Sequence, residues 1–355
     1  MGCCHDSEHR SNAESLKQQV YESMQQGNLQ KTSLSLARLK QVLPRGQADI
    51  DSLTFLLDPK KSIELNCLGL SLALGKCNIF KYIHQKLKAD PLVMEEYLIK
   101  SKLTGLYIIC SQNYLELFDY YLEIYLKIKL MVKGRDSSRF SMSSQDSFKQ
   151  AQLDYTPIQV ACYMGNIPII KFALEYCRLN KTLPEELDLN HTNEKTGENC
   201  ALIACRGGNL NTIKYLHQKT YANFHTKNFF NENALQVLAA SARARFLIDF
   251  HKSFVYLIEK VRIDLSWNYQ EILLLLDNNA VCDYFLAELA KLSIFLDKKV
   301  IEQEVMVRPK PPEDLHRYDT GENFDLMKIF PDLLRPNSVM SYGSSKTSFF
   351  SCGSK

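Results

Sequence analysis

Thr156-Pro157-Ile158-Gln159-Val160-Ala161-Cys162-Tyr163-Met164-Gly165-Asn166 returns forty-three residues later as Asn199-Cys200-Ala201-Leu202-Ile203-Ala204-Cys205-Arg206-Gly207-Gly208-Asn209. Each copy runs on into an apolar helical pattern: Ile169, Ile170 and Leu174 after the first, Ile213 and Leu216 after the second. Self-similarity at a fixed step outranks other fold signals, because it marks a stack of like units. A unit of two short helices cannot bury both faces alone, so it must pack on its neighbours. Small and branched residues (Ile158, Val160, Ala161; Ala201, Ile203, Ala204) therefore belong on an inner helix, where units approach most closely. Gly165 and Gly208 suit the left-handed turn that ends such a helix, and Gly27 and Gly75 hold the same place in earlier units.

Working outward, further units open at Asn66, Thr104 and Asn233, so the steps along the chain are 38, 52, 43 and 34 residues. The unit at Asn66 carries Leu68, Leu70 and Ser71, then Ile79, Phe80 and Ile83. The unit at Thr104 carries Leu106, Ile108 and Ile109, then Leu117, Phe118 and Tyr121. Residues 12–41, with Leu16, Val20 and Met24 on one face, read as an N-terminal cap whose polar outer side keeps a stack soluble. At the far end, Val281, Phe285, Leu289, Leu292 and Leu296 form one helical stripe in a closing pair. The expected layout is an N-terminal segment 1–12, repeats over 13–300 with an insertion loop at 133–154, and a Pro/Ser-rich tail over 301–355. The two ends are expected to be disordered: Pro309, Pro311 and Pro312 break any helix, and the last residues are serine-rich.

Between the two best copies stand Asp188-Leu189-Asn190 and Thr196-Gly197-Glu198-Asn199. Taken with the openings and the Gly-Asn turns, this resembles the ankyrin repeat, with its threonine-proline-leucine-histidine-x-alanine opening. Gln159 and Leu202 stand where that family has histidine, and only the first copy keeps the threonine-proline pair. The resemblance implies an all-α solenoid of stacked helix pairs with capping helices. It further implies a protein-interaction scaffold, whose partner or partners lie along the concave face of inner helices and finger loops. A tetratricopeptide-type stack would leave the Gly-Asn turns and Asp-Leu-Asn fingers unexplained.

Composition narrows the rest. A net charge of +3 on 355 residues gives no strong field for nucleic acid, and no nucleic-acid partner is expected. No apolar run approaches the roughly eighteen residues a membrane span needs. Eleven cysteines without pairing rhythm read as core thiols in a reducing, cytoplasmic setting, Cys162 and Cys205 sharing one slot of their repeats. There is no phosphate-binding glycine loop, no paired-histidine helix and no Cys-x-x-Cys, so no metal, cofactor or catalytic residue is expected. His84 and His217 fall on second helices and read as surface or groove residues.

Met1-Gly2-Cys3-Cys4 looks like a dual-acylation signal, with myristate on Gly2 and palmitate on Cys3 and Cys4. Asp6, with Ser7 beside it, occupies the position that usually holds serine or threonine. A single myristoyl chain holds a membrane only marginally, and the adjacent thiols supply the second chain needed for stable attachment. The expectation is a scaffold tethered to the cytoplasmic face of a membrane; the alternative is a soluble adaptor or inhibitor with no lipid anchor. In the insertion, Arg135 and Arg139 precede serine clusters, which marks Ser138, Ser141 and Ser144 as candidate phosphorylation sites beside the plainer reading of a solvated loop. Oligomeric state has no signature in the sequence.

Overall fold

The computed structural model describes residues 3–43, 49–58, 63–100, 103–134, 155–181, 184–244, 247–276, 278–292 and 294. Helix pairs dominate and stack in chain order. They are α1 (Cys3–Gln25) with α2 (Leu29–Val42), α3 (Cys67–Ala73) with α4 (Cys77–Gln85), and, after the extra helix α5 (Pro91–Lys100), α6 (Gly105–Gln112) with α7 (Leu115–Gly134). Then follow α8 (Pro157–Met164) with α9 (Ile167–Asn180), α10 (Cys200–Gly207) with α11 (Leu210–Lys219), and α12 (Ala234–Ala244) with α13 (Phe250–Tyr256). A π-turn, Leu257–Val261, extends α13, and α14 (Tyr269–Leu275) with α15 (Asn279–Lys291) closes the described stack. From the second pair onward, the first helix of each pair packs on the first helices of the neighbouring units, so α3, α6, α8, α10, α12 and α14 form one inner row. A single continuous core runs through all of them, as an α-solenoid requires.

Five of the six inner helices, all but α14, start the same way. The side-chain oxygen at each opening accepts a backbone N–H three residues on: Asn66 from Gly69 at 2.9 Å, Thr104 from Tyr107 at 3.2 Å, Thr156 from Gln159 at 3.4 Å, Asn199 from Leu202 at 3.1 Å and Asn233 from Gln236 at 3.0 Å. This satisfies an N–H that has no partner within the helix, a contribution of about 1 kcal/mol at each site. The same residues also tie one unit to the next. Asn199 Nδ2 donates to the Asn223 carbonyl at 2.8 Å, and Asn233 Nδ2 to the Asp264 carbonyl at 3.4 Å. Gln159 completes a capping box with Thr156 and sends its amide to the carbonyls of His191 and Glu198, so glutamine in the family's histidine slot still bridges units. Asn66 Nδ2 is buried without a partner. The chain after α4 forms α5 in place of a finger, and no carbonyl is delivered to it.

The inner helices end where the mid-turn glycines lie, with φ of +71° at Gly27, +68° at Gly75, +81° at Gly165 and +71° at Gly208. Asn113 takes the same left-handed position after α6, at φ +59°. The glycines are also contact points: Asn209 lies against Gly165 and Leu247 against Gly208, so each turn is covered by the following unit. Gly207 differs, because its backbone is helical and its Cα faces the Tyr163 carbonyl of α8. A Cβ there would sit well inside contact distance of that backbone oxygen. Alanine would gain up to about 1 kcal/mol in helix propensity, but overpacking a close backbone approach costs about 1–3 kcal/mol or more. Gly207→Ala is therefore expected to lower stability by about 1–2 kcal/mol in a urea titration; an unchanged or raised midpoint would mean α8 and α10 can part without cost.

Several parts depart from the sequence expectation. Helix α1 begins at Cys3, inside the 1–12 segment expected to be a disordered tail. A two-stranded antiparallel hairpin, β1 (Thr54–Asp58) and β2 (Ile63–Asn66), precedes α3 and adds a small strand element to an otherwise helical chain. Phe55 pairs with Leu65 and both are buried, which roofs the start of the inner row. Helix α7 runs through Gly134, so the insertion starts later than position 133; residues 135–154, and with them Ser138, Ser141 and Ser144, lie outside the described residues. At the far end Val281, Phe285 and Leu289 are buried, but Leu292 is 54% exposed because α15 stops at Lys291; Leu296 lies outside the described residues.

Candidate protein-binding face

Among the described residues, finger loops join the units from α8 onward, and two of these share one frame. In the first, Asn193 Oδ1 accepts the N–H groups of Lys195 and Thr196, and Asn193 N–H donates to the Glu198 carbonyl at 2.9 Å. In the second, Asn228 Oδ1 accepts from Phe230 and Glu232, and Asn228 N–H donates to the Glu232 carbonyl at 3.1 Å. The finger bases match as well: Asp188 accepts the N–H of Asn190 and Asp264 that of Ser266, above the buried Leu189 and Leu265. Asparagine and aspartate suit these turns because a short side chain can accept from the backbone two residues on.

The tips are bonded into a row. Phe229 N–H donates to the Thr196 carbonyl at 2.8 Å, and Trp267 Nε1 donates to the Asn231 carbonyl at 3.0 Å. The Phe229 ring lies over Gly197, whose absent Cβ would come 2.5 Å from Cδ1, and the Lys227 ammonium sits over the Trp267 ring. Phe229 and Phe230 are nevertheless 68% and 43% exposed, two neighbouring phenylalanines held outward on a braced loop.

Beneath the tips lies a buried charged cluster. Arg206, on α10, grips Glu198 with two guanidinium nitrogens, Nε at 3.1 Å, and Asn228 Nδ2 reaches Glu198 at 3.4 Å and Glu232 at 2.7 Å. Burial on its own lowers the arginine pKa; the Glu198 carboxylate more than reverses this and holds it above its ordinary value. The cluster joins an inner helix to two successive fingers, which fixes the tips relative to the row behind them.

A second device recurs on the outer helices. Lys81-Tyr82-Ile83-His84-Gln85-Lys86 and Lys214-Tyr215-Leu216-His217-Gln218-Lys219 are near-identical. In each, histidine Nδ1 and the glutamine amide meet one tyrosine hydroxyl of the next unit: Tyr120 at 2.7 and 3.0 Å, Tyr256 at 3.0 and 3.1 Å. The glutamine amide donates to the hydroxyl, and the same hydroxyl bonds the imidazole Nδ1, so one tyrosine oxygen holds two side chains of the preceding outer helix. Burial lowers both histidine pKa values, helped by Lys88 beside His84 and by His225 beside His217. These histidines are thus half-buried stacking clasps rather than open groove residues, and the repeated hexapeptide was the signal that could have found them.

Gly2 lies outside the described residues, and Cys3 and Cys4 open α1. Cys110, Cys162 and Cys205 are buried six residues after their openings, one per unit, and burial pushes the Cys110 and Cys205 thiols up. Among the described residues no group of three or more histidine, cysteine, aspartate or glutamate side chains could hold a metal ion, and no helix is long and apolar enough to cross a membrane.

No protein-family model matches the chain, and none of the curated proteins matches it. Among solved structures it is similar to the ankyrin repeat domain of Bcl-3, a member of the IkappaB protein family, at 16% identity and a TM-score of 0.41, over 75% of this chain and 96% of that one. The capped inner row, the left-handed mid-turns and the paired fingers carry the assignment in their own right: the described chain is a solenoid of ankyrin-like repeats.

Proposed function

We propose that the chain is a protein-interaction scaffold that holds its partner on the finger side of the α8–α14 units. The observation that carries this reading is the exposed Phe229–Phe230 pair on a loop braced from both sides. Isolated exposed apolar residues need no explanation, but adjacent aromatics on a rigid support are the usual anchors of protein interfaces. Holding them in place lowers the ordering cost of binding. The reading assigns no catalytic step.

Phe229→Ala/Phe230→Ala is expected to remove specific proteins from those captured by the full chain while leaving its melting transition in place. Loss of two such anchors costs roughly 2 kcal/mol or more, a thirtyfold weakening. An identical captured set would sink the reading.

The tether belongs to the same proposal, with myristate on Gly2 and palmitate on Cys3 and Cys4 fixing the scaffold to the cytoplasmic side of a membrane. What supports it is the sequence Gly2-Cys3-Cys4 alone. A C-terminally tagged full chain should localise to membranes and become diffuse on Gly2→Ala or Cys3→Ser/Cys4→Ser; a diffuse signal in all three leaves a soluble adaptor. Phosphate on Ser138, Ser141 or Ser144 would add charge at the edge of the stack, and equal partner affinity with and without it would discard that role.

A further inference from the structure

We propose that residues 324–334 of this chain dock on the aromatic finger tip formed by Phe229, Phe230 and Trp267, and so occupy the face when no partner is bound. The docking itself stands on the observations below; its regulatory meaning rests on the scaffold reading.

The segment is Phe324-Asp325-Leu326-Met327-Lys328-Ile329-Phe330-Pro331-Asp332-Leu333-Leu334, in which seven of eleven residues are large and apolar. Proline- and charge-rich sequence precedes it and serine-rich sequence follows. Such a stretch is costly to leave in water: burying one leucine- or phenylalanine-sized side chain is worth about 1.5–3 kcal/mol. On the folded side, the tip has the converse defect, with apolar rings facing out and already held in position.

Charge and reach agree with this pairing. Lys227 stands over the Trp267 ring at the tip, and the chain over 313–335 carries six carboxylates (Glu313, Asp314, Asp319, Glu322, Asp325, Asp332) against Arg317, Lys328 and Arg335. Twenty-nine residues lie between Ile294 and Phe324 and can span at most roughly 100 Å, while α15 with its thirteen residues is about 20 Å long. Every finger is therefore within reach.

Concentration decides between this occupant and a second copy of the chain. A segment tethered through a linker of this length meets its site at an effective concentration near a millimolar. Even a weak contact of a few aromatic side chains is then mostly formed, whereas a second copy at micromolar concentration would need to bind about a thousandfold more tightly.

The test uses Trp267, the only tryptophan in the chain. Acrylamide quenching of the full chain is compared with that of Phe324→Asp/Phe330→Asp. The quenching constant should rise at least about twofold in the variant, because an indole covered by apolar side chains loses most of its solvent contact. A synthetic peptide of residues 319–336, added at sub-millimolar concentration, should return the variant to the original value. Equal quenching in the two forms, with no response to peptide, would overturn the proposal and leave the scaffold reading intact. Shielding that is the same in both forms but fades on dilution of the protein would overturn it in favour of a second copy. Failure of the scaffold reading shows separately, as an unchanged captured set for Phe229→Ala/Phe230→Ala.

Discussion

Arg206→Met is expected to destabilise the chain by about 3–5 kcal/mol, the largest effect of a single side chain here, because it strands a buried carboxylate. Glu198 is fully buried, and Arg206, almost as deep, meets it with two nitrogens. A methionine fills the stem's volume but leaves the fully buried Glu198 without the arginine that meets it. The net worth of the pair is a different quantity. Exchanging a buried ion pair for neutral groups of similar size is often close to neutral. Glu198→Gln/Arg206→Met should therefore recover most of the loss, and urea titration of the three proteins separates the two quantities. A single variant within about 1 kcal/mol of the parent would mean that water reaches Glu198 once the arginine is gone. Because units contribute through their neighbours, the loss should appear first as faster amide exchange in α8, α10 and α12.

How much of this was legible follows from what each feature needs in order to show itself. The inner row is written locally: Thr156 and Asn199 cap, Gly165 and Gly208 turn, and small residues lie between, so one stretch of eleven residues announces a unit. The finger Asp188-Leu189-Asn190 was readable for the same reason. Helix α5 was not, because its length and apolar content suit many short elements, and only its burial on α3 and β2 makes it part of the stack. Gly207 gave no sign either. Its neighbour Gly208 has the turn geometry that sequence can anticipate, whereas the constraint on Gly207 is a carbonyl forty-four residues away. The aromatic tip lies between the units that open at Asn199 and Asn233, in a stretch with no repeat signal of its own, where Phe229 and Phe230 could equally have been core. The clasps needed both copies of the hexapeptide and their tyrosines to be seen together.

Glu95 turns α5 into a pH-sensitive part of the stack. Its carboxyl is fully buried, and Oε1 accepts both the Tyr121 hydroxyl and the Gly105 N–H at 2.9 Å, while Oε2 has no partner. Burial raises its pKa; the bonds from Tyr121 and Gly105 pull it part of the way back, to about 7 from an ordinary 4.5. The folded protein thus favours the neutral acid. Below pH 4.5 both states carry the proton and nothing is lost. As pH rises, the unfolded chain ionises first and stability falls until the folded carboxyl ionises near 7, after which the loss is constant. A displacement of this size corresponds to about 3 kcal/mol, most of it between pH 5 and 8. Glu95→Gln keeps the accepting oxygen and removes the titration, so the stability of the parent minus that of the variant should drop by about 2–3 kcal/mol across that window. A difference that stays level with pH would show that water or a shift of α5 relieves the charge. The direction matters for the architecture. Raising the pH through neutrality should loosen α5 from α3 and α7 before it disturbs the finger units, where the buried Glu198 is held by Arg206.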